Sequence, residues 1–450
     1  MANVIRLRKG LNINLKGKSK PELRNSKVTD DYAVSPADFV GVIPKLVVHE
    51  GDHVKAGNAL FFDKNYPDLL FSSPISGNIV SIVRGDRRKI LFIKIKADEQ
   101  QEYVDFGVKK IASLTREEIV SALCKAGMFG LITQLPYAVV TSPQSSPKAI
   151  FVSALRDMPL AADFDFEVKD NVNDFKTGME ALSKIAPTFL GIGKNQQQYD
   201  YYTIKDVTTT VFDGPCPAGN VDVHINHLNP VNKGEIVWTV DPSAVVFFGR
   251  LFNTGRVDLS RVIALAGSQV KEPCYYHTKI GASLSSILEG QLSDDQSSRI
   301  IKGNPLTGTV ALSNDYLGAH TSEISVIPEG SNANEFFGWI MPRFNQFSVS
   351  RSYFSWLLGK NKTYDLDARI KGGERHMIMS GEYDKVLPMD IYGEYLIKSI
   401  IAEDIDKMEQ LGIYEVSPED FALAEFVDSS KLELQRIVRT GLDMLRKENS

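Results

Sequence analysis

Two spacings of apolar residues divide the chain. Through the first hundred residues, apolar and polar positions come in short runs at 46–48, 59–62, 69–71, 78–83 and 90–95, the length and alternation of half-buried β-strands. Between them stand Gly51-Asp52, Lys55-Ala56-Gly57, Ser76-Gly77 and Arg84-Gly85-Asp86, where glycine supplies the positive φ that tight turns demand. A compact all-β unit is expected. Ahead of it, Val4, Ile5, Leu7, Leu11, Ile13 and Leu15 interrupt Arg6, Arg8, Lys9, Lys16, Lys18 and Lys20. That alternation predicts a strand with one solvated face rather than a membrane-touching basic patch.

The period changes at Thr115. Thr115-Arg116-Glu117-Glu118 has the form of a capping box, in which the threonine hydroxyl and the Glu118 carboxylate satisfy the first free N–H groups of a helix. Ile119, Ala122, Leu123 and Ala126 then mark one helical face, and Gly127 ends it. Strand candidates at 137–141 and 149–152, an amphipathic stretch at 174–185 and the apolar run 188–193 continue an α/β unit. A third unit opens near Arg256, with an apolar run at 262–267 and short strands around Gly281. Residues 336–362 hold five Phe and two Trp without a clean period and read as a connecting segment that packs on something. From Asp390, Ile391, Tyr395, Ile397, Ile400, Ile401, Ile405 and Met408 recur at helical spacing as far as Gly412. Ser417-Pro418-Glu419-Asp420 starts another helix, and a last one over 432–445 runs into a basic tail.

Bulk composition narrows the partners. A chain of 450 residues has room for three or four domains. Lys+Arg 51 against Asp+Glu 56 leaves a net charge of −5, and no basic block is long enough to follow a phosphate backbone, so nucleic acid is excluded as an expected partner. Apolar runs such as Ala244-Val245-Val246-Phe247-Phe248 fall far short of the roughly 18 residues of a membrane span. The N-terminus has no contiguous apolar signal core, so a cytoplasmic protein is expected, with any membrane attachment made through a partner. Cys124, Cys216 and Cys274 lie far apart with no C-x-x-C pair, which fits a reducing compartment. They are also too few for an all-cysteine iron–sulfur cluster.

Local chemistry is sparse. The stretch VHEGDHVKAGNALFFDKNYPDLLFSSPISGNIV is laid out like the hairpin half of a lipoyl or biotinyl carrier domain, with Lys64 near the place of the modified lysine. The segment from Lys64 to Pro74 reads as longer than a carrier hairpin and bent by Pro67, so an unmodified barrel-sandwich scaffold is expected, and a carrier lipoylated at Lys64 is the alternative. Cys216, His224 and His227 in GPCPAGNVDVHINH offer three corners of a tetrahedral zinc site. No fourth ligand is evident, and on a strand the i, i+3 histidines would point to opposite faces, so no metal is expected. Gly191-Ile192-Gly193-Lys194 matches neither a P-loop nor a dinucleotide fingerprint and reads as a turn. No nucleophile elbow, zinc-protease helix or EF-hand loop is present, and spacing alone assigns no catalytic residue.

The order of the pieces resembles one family along essentially the whole chain. IRLRKGLNINLKGK, the carrier-like stretch, FVSALRDMPLAAD, FDGPCPAGNVDVHINHLNPVNKGEIVWTV, FFGRLFNTGRVDLSRVIALAGSQVKEP and GNPLTGT look like the NqrA family, the A subunits of the Na+-translocating NADH:quinone reductases. That family is related to the C subunit of Rnf complexes and to the flavin subunit of respiratory complex I. The resemblance implies an α+β multidomain chain: a barrel-sandwich (lipoyl-like) domain over 1–105, a Rossmann-like α/β domain over 106–255 and a β-grasp (SLBB-like) domain over 256–335. An aromatic connecting segment over 336–385 and a helical domain over 386–450 complete it.

It also implies a peripheral subunit on the cytoplasmic side of the inner membrane, held by the B to F subunits of a complex that oxidises NADH, reduces quinone and exports Na+. Docking would run through residues 336–356. The flavin-binding relatives carry a G-x-G-G-A-G-F-P loop after the capped helix, whose backbone can approach a phosphate closely. Here Lys125-Ala126-Gly127-Met128-Phe129-Gly130-Leu131 stands in that place, and Met128 and Phe129 replace small residues. The helical domain has no cysteine. The resemblance therefore implies a subunit with no tightly bound cofactor of its own, while NAD(H) and quinone are used by the complex. Met128, Phe129, Gln134 and Tyr137 would line a quinone pocket, with core packing as the other reading of the same residues. An Rnf-type electron-transfer subunit binding NADH, FMN and Fe–S clusters is the alternative.

Overall fold

The computed structural model describes residues 3–293, 297–331, 341–359 and 361–449. Part of the aromatic segment, including Phe336, Phe337 and Trp339, lies outside the described residues.

The strand runs of the first hundred residues form two facing sheets, one of Asp31–Val34, Ile90–Ala97, Gly77–Arg84 and His53–Val54, the other of Pro44–Leu46, Ala59–Asp63 and Tyr66–Ser72. Phe61 and Phe71 stack between them with ring centroids 4.5 Å apart, and Phe39 closes on Phe71. The hairpin at Lys64 differs from expectation. Asp63 pairs with Tyr66, so Lys64 and Asn65 make a tight two-residue turn, exposed at its tip. Pro67 does not bend it, because Tyr66–Ser72 is an edge strand where a missing N–H is tolerated. The Asp63 Oδ1 accepts from the backbone N–H of Asn65 (3.1 Å) and of Ile43 (3.2 Å), which fixes the turn.

A seven-stranded sheet forms the centre of the molecule. Its order is Asn3–Arg6, Val207–Asp213, Thr188–Gly193, Ala149–Ser153, Val237–Val240, Ile132–Leu135 and Val139–Val140. The first five are parallel and the last two antiparallel. Alternation along Ala149–Ser153 separates two cores. Ile150 and Val152 face the helices Val172–Ile185 and Pro242–Thr254, while Phe151 faces the helix Val221–Leu228 through Ile225. Thr115 caps Arg116–Lys125 with the full capping box. The helices Val172–Ile185 and Pro242–Thr254 touch backbone to backbone, since a Cβ on Gly249 would sit 1.7 Å from the Asp174 carbonyl oxygen and one on Gly178 2.0 Å from that of Val245.

The N-terminal segment does not stay with the barrel-sandwich sheets. Asn3–Arg6 extends the central sheet beside Val207–Asp213, and Leu23–Asn25 pairs in parallel with Cys274–Lys279. Both cover an otherwise open sheet edge, and Leu7 is buried beside Phe212.

The third unit is a six-stranded sheet ordered Thr309–Ala311, Ser298–Lys302, Glu323–Pro328, Ser260–Ala266, Cys274–Lys279 and Leu23–Asn25, folded over its own apolar core. The C-terminal helices Gly393–Ile401, Ile405–Gln410, Ala422–Val427 and Leu434–Glu448 share a core with Leu7, Phe212 and Val223 of the central unit. The single helical period read from Ile391 to Gly412 is broken in two, because Glu403 takes φ 56° and Asp404 caps a new start by accepting from the Lys407 N–H.

Candidate functional site

Three units meet around a cavity of about 620 Å³. Its floor is the carboxyl ends of Ala149–Ser153 and Val237–Val240, adjacent parallel strands of the central sheet. Open α/β sheets bind ligands outside the carboxyl ends of their strands. Residues 302–304 and 320–323 of the third unit supply one wall, and residues 417–419, Gln435 and Arg439 of the helical unit another.

The floor is shaped by a strand-to-helix turn. Asp241 ends one strand and caps Pro242–Thr254 by accepting from the Ser243 N–H at 2.9 Å, with Pro242 at the first helical position. Behind it lies a buried ion network. Arg156 donates to Glu167 at 2.7 Å, to Ser243 at 2.8 Å and to Asp241 at 3.2 Å. Arg261 donates to Ser243 and Ser322 and stands 3.5 Å from Glu167. Burial alone would push the Asp241 carboxyl up, but the two guanidiniums overrule it and hold it below the usual carboxylate range. Glu323 accepts from the Ala162 N–H at 3.1 Å, and burial raises its carboxyl despite Arg156.

Where the central and helical units meet, the cavity is acidic. Burial pushes Asp157 up to about 6, against the N–H bond it accepts from Gly219. Asp222 and Asp420 share a side-chain hydrogen bond, and burial raises both, Asp420 further through the charge of Asp222. Glu419 is pushed up to about 7 by burial and by the surrounding carboxylates. Lining this acidic rim are the apolar side chains of Leu131, Leu135, Leu155, Met158, Val221 and Val240. Apolar side chains beside polar groups suit an organic ligand with both kinds of surface.

The four residues implied by resemblance are divided. Gln134 lines the cavity and accepts from the Thr141 hydroxyl at 2.9 Å. Tyr137 lies just outside it, its carbonyl receiving Arg439 at 2.7 Å and its hydroxyl Asn449 at 3.3 Å. Phe129 is wholly buried, edge-on to Trp238 with centroids 5.4 Å apart. Met128 is buried against a separate void of about 30 Å³ near Phe39 and Phe71. Leu131, Thr133, Leu135 and Ala138, from the same stretch, do reach the main cavity.

The sequence reading did not single out Arg156, Asp241, His320, Glu323 or Glu419 for this site. The one signal available was Asp241-Pro242 directly after the apolar run 236–240, a cap followed by proline that marks a strand-to-helix turn.

His224 and His227 lie on the helix Val221–Leu228, not on a strand. The turn after Pro217 leads through Asn220 straight into helix, so opposite strand faces do not separate the two rings. The His224 ring stacks on Phe212 with centroids 3.7 Å apart and donates from Nε2 to the Ala218 carbonyl at 2.8 Å. Burial holds it down at about 4. His227 donates to the Val223 carbonyl, and burial raises the Cys216 thiol, which sits 3.6 Å from the Met158 sulfur. Among the described residues no three His, Cys, Asp or Glu side chains gather as metal ligands.

Residues 191–193 are strand rather than the expected turn. Gly191 is there because the His224 ring covers it, and an added Cβ would come within 2.2 Å of that ring. Gly191→Ala is expected to lower unfolding free energy by about 1–3 kcal/mol, read from urea midpoints at an unchanged m-value.

Comparison with known proteins gives the same order of parts. Residues 5–98 match the model of the NqrA N-terminal barrel-sandwich hybrid domain, 114–257 the NqrA second alpha/beta domain and 262–312 the NQRA C-terminal domain. The Na(+)-translocating NADH-quinone reductase A subunit of Serratia proteamaculans is 36% identical over 455 aligned residues, covering 99% of this chain and 100% of the relative. The chain belongs to the NqrA family. The corresponding subunits of Neisseria meningitidis, at 34%, and Haemophilus influenzae, at 35%, match this chain with the same coverage. Among solved structures, an NAD+-reducing [NiFe]-hydrogenase aligns at a TM-score of 0.35 and 11% identity, over 68% of this chain and 55% of that chain. The cavity is built from segments in all three matched or adjoining parts of this NqrA chain, including FVSALRDMPLAAD and GNPLTGT.

Proposed function

We propose that this NqrA chain works as the A subunit of a Na+-translocating NADH-quinone reductase, and that its central cavity receives the quinone ring. The observation that carries the proposal is end-to-end correspondence, at 34–36% identity, with relatives that bear that name. The cavity adds a site of suitable chemistry, with apolar side chains of the central unit beside polar groups of the third and helical units. No helix among the described residues is long and apolar enough to cross a membrane. On this reading attachment to the cytoplasmic face comes through the partner B to F subunits, and the exposed Phe354, Trp356, Leu357 and Leu358 of the connecting segment offer them an apolar surface. We read the central unit as Rossmann-like and the C-terminal helices as a domain of their own.

The same proposal gives the chain no tightly bound flavin or cluster. The glycines of the loop after the capped helix are taken up by the barrel-sandwich strand beside them. A Cβ on Gly127 would lie 2.4 Å from the Ser72 backbone nitrogen, and one on Gly130 2.2 Å from the Phe71 ring. A phosphate has no room to approach there. Cys124, Cys216 and Cys274 are buried, free and separate, and burial pushes the Cys124 thiol up to about 12.

The test is genetic and biochemical. Membranes from cells lacking this chain should lose Na+-stimulated NADH-quinone reductase activity and regain it when the purified, colourless chain is added back. Full activity without the chain would overturn the proposal, and stoichiometric flavin or iron in the purified chain would overturn its cofactor part.

A further inference from the structure

We infer that His320 and Glu419 are the paired hydrogen-bond donors that hold the two opposed carbonyl oxygens of a quinone ring in the cavity, an inference that rests on the quinone reading above. A para-quinone is a flat apolar ring with two acceptors and no donor. It therefore asks for apolar side walls and one donor at each end.

The cavity offers apolar side chains of the central unit, with His320 on the wall from the third unit and Glu419 on the wall from the helical unit. His320 comes from the third unit, three residues before the strand Glu323–Pro328, and Glu419 from the turn Pro418–Phe421 of the helical unit. Both line the cavity and have accessible side chains. Neither the His320 ring nitrogens nor the Glu419 carboxyl oxygens have a hydrogen-bond partner among the described residues. Arg156, Asp241, Glu323 and Arg439 at the same cavity are already engaged.

Protonation suits the role. His320 faces Asp38, Asp241 and Arg261. Burial keeps its imidazole below the ordinary value in spite of the two carboxylates, so it is neutral near pH 7 and offers one N–H. Glu419 faces Asp157, Asp222, Asp241, Glu323, Asp420 and the Cys216 thiol. Burial and these carboxylates raise it to about 7. Protonated, it donates an O–H. Ionised, it offers only acceptors and repels a carbonyl oxygen.

The test measures decylubiquinone binding to the purified full-length chain by calorimetry across pH 6 to 8. A ligand that binds only the protonated form follows the competent fraction, so the dissociation constant should rise about tenfold over that range. Glu419→Gln keeps a neutral donor without titrating, and should bind at every pH about as the wild type does at pH 6. His320→Ala should bind about tenfold more weakly at all pH values, the worth of one hydrogen bond. His320→Gln, which keeps an N–H donor, should recover most of that loss and shows that the alanine effect is not misfolding. Wild-type-like affinity in His320→Ala, or a retained pH slope in Glu419→Gln, would overturn this inference while leaving quinone binding intact. No binding by the wild type at any pH would overturn the quinone reading and this inference together.

Discussion

Gly249→Ala is expected to cost more than about 3 kcal/mol of stability and to separate the two helices behind the central sheet. The new methyl would fall 1.7 Å from the Asp174 carbonyl oxygen, and that oxygen belongs to a helix backbone with no rotamer to change. Relief requires Val172–Ile185 to move away from Pro242–Thr254. Such a shift would unseat Asp241 and Ser243 at the start of the second helix, and with them the floor of the cavity. Urea unfolding followed by circular dichroism gives the number, and a loss below about 1 kcal/mol would show that the helices yield more easily than their packing indicates.

Arg156→Met is the second large effect, with about 3–5 kcal/mol expected because one partner of a buried ion network is removed while its carboxylates remain. Glu167 is 5% exposed and Arg156 11%. Asp241 would be left with Arg261 and its bonds from Ser243 against the burial that pushes its carboxyl up. The sign of the pH dependence follows. In the wild type the folded Asp241 sits below its unfolded value, so its contribution is complete above the unfolded carboxylate pKa and is lost only as pH falls through the lower folded one. In the variant the folded carboxyl is raised, so acidification from pH 7 toward 5 protonates it and recovers stability. The gap between the two proteins should therefore narrow on acidification. A constant gap over that range would show that Asp241 is not held by Arg156.

Much of the architecture could be read in the chain because the signals were local. Thr115-Arg116-Glu117-Glu118 forms the capping box that its residues predict, and the runs at 59–62, 78–83 and 90–95 lie in strands. Order of motifs led to the family where single motifs did not. What escaped were features set by distant partners. Pro67 looked like a bend but stands on an edge strand, and His224, weighed as a strand residue, lies on a helix as a stacked ring over Gly191.

The site was the least legible part. Gln134 reaches the cavity, but Arg156, His320 and Glu419 come from three units separated by close to a hundred residues or more, and nothing in their local sequence marks them. Met128 and Phe129 differ from small loop residues for a reason of packing, since their neighbours Gly127 and Gly130 accommodate Ser72 and Phe71.

The central claim is that quinone enters the space between the central, third and helical units. Photo-crosslinking tests it most directly: an azido-quinone is irradiated with the assembled complex and the labelled peptides of this chain are mapped. The account predicts label on residues 131–138 and on the facing segments around His320 and residues 417–439. Label confined to other subunits, or to surfaces of this chain away from the cavity, would contradict it.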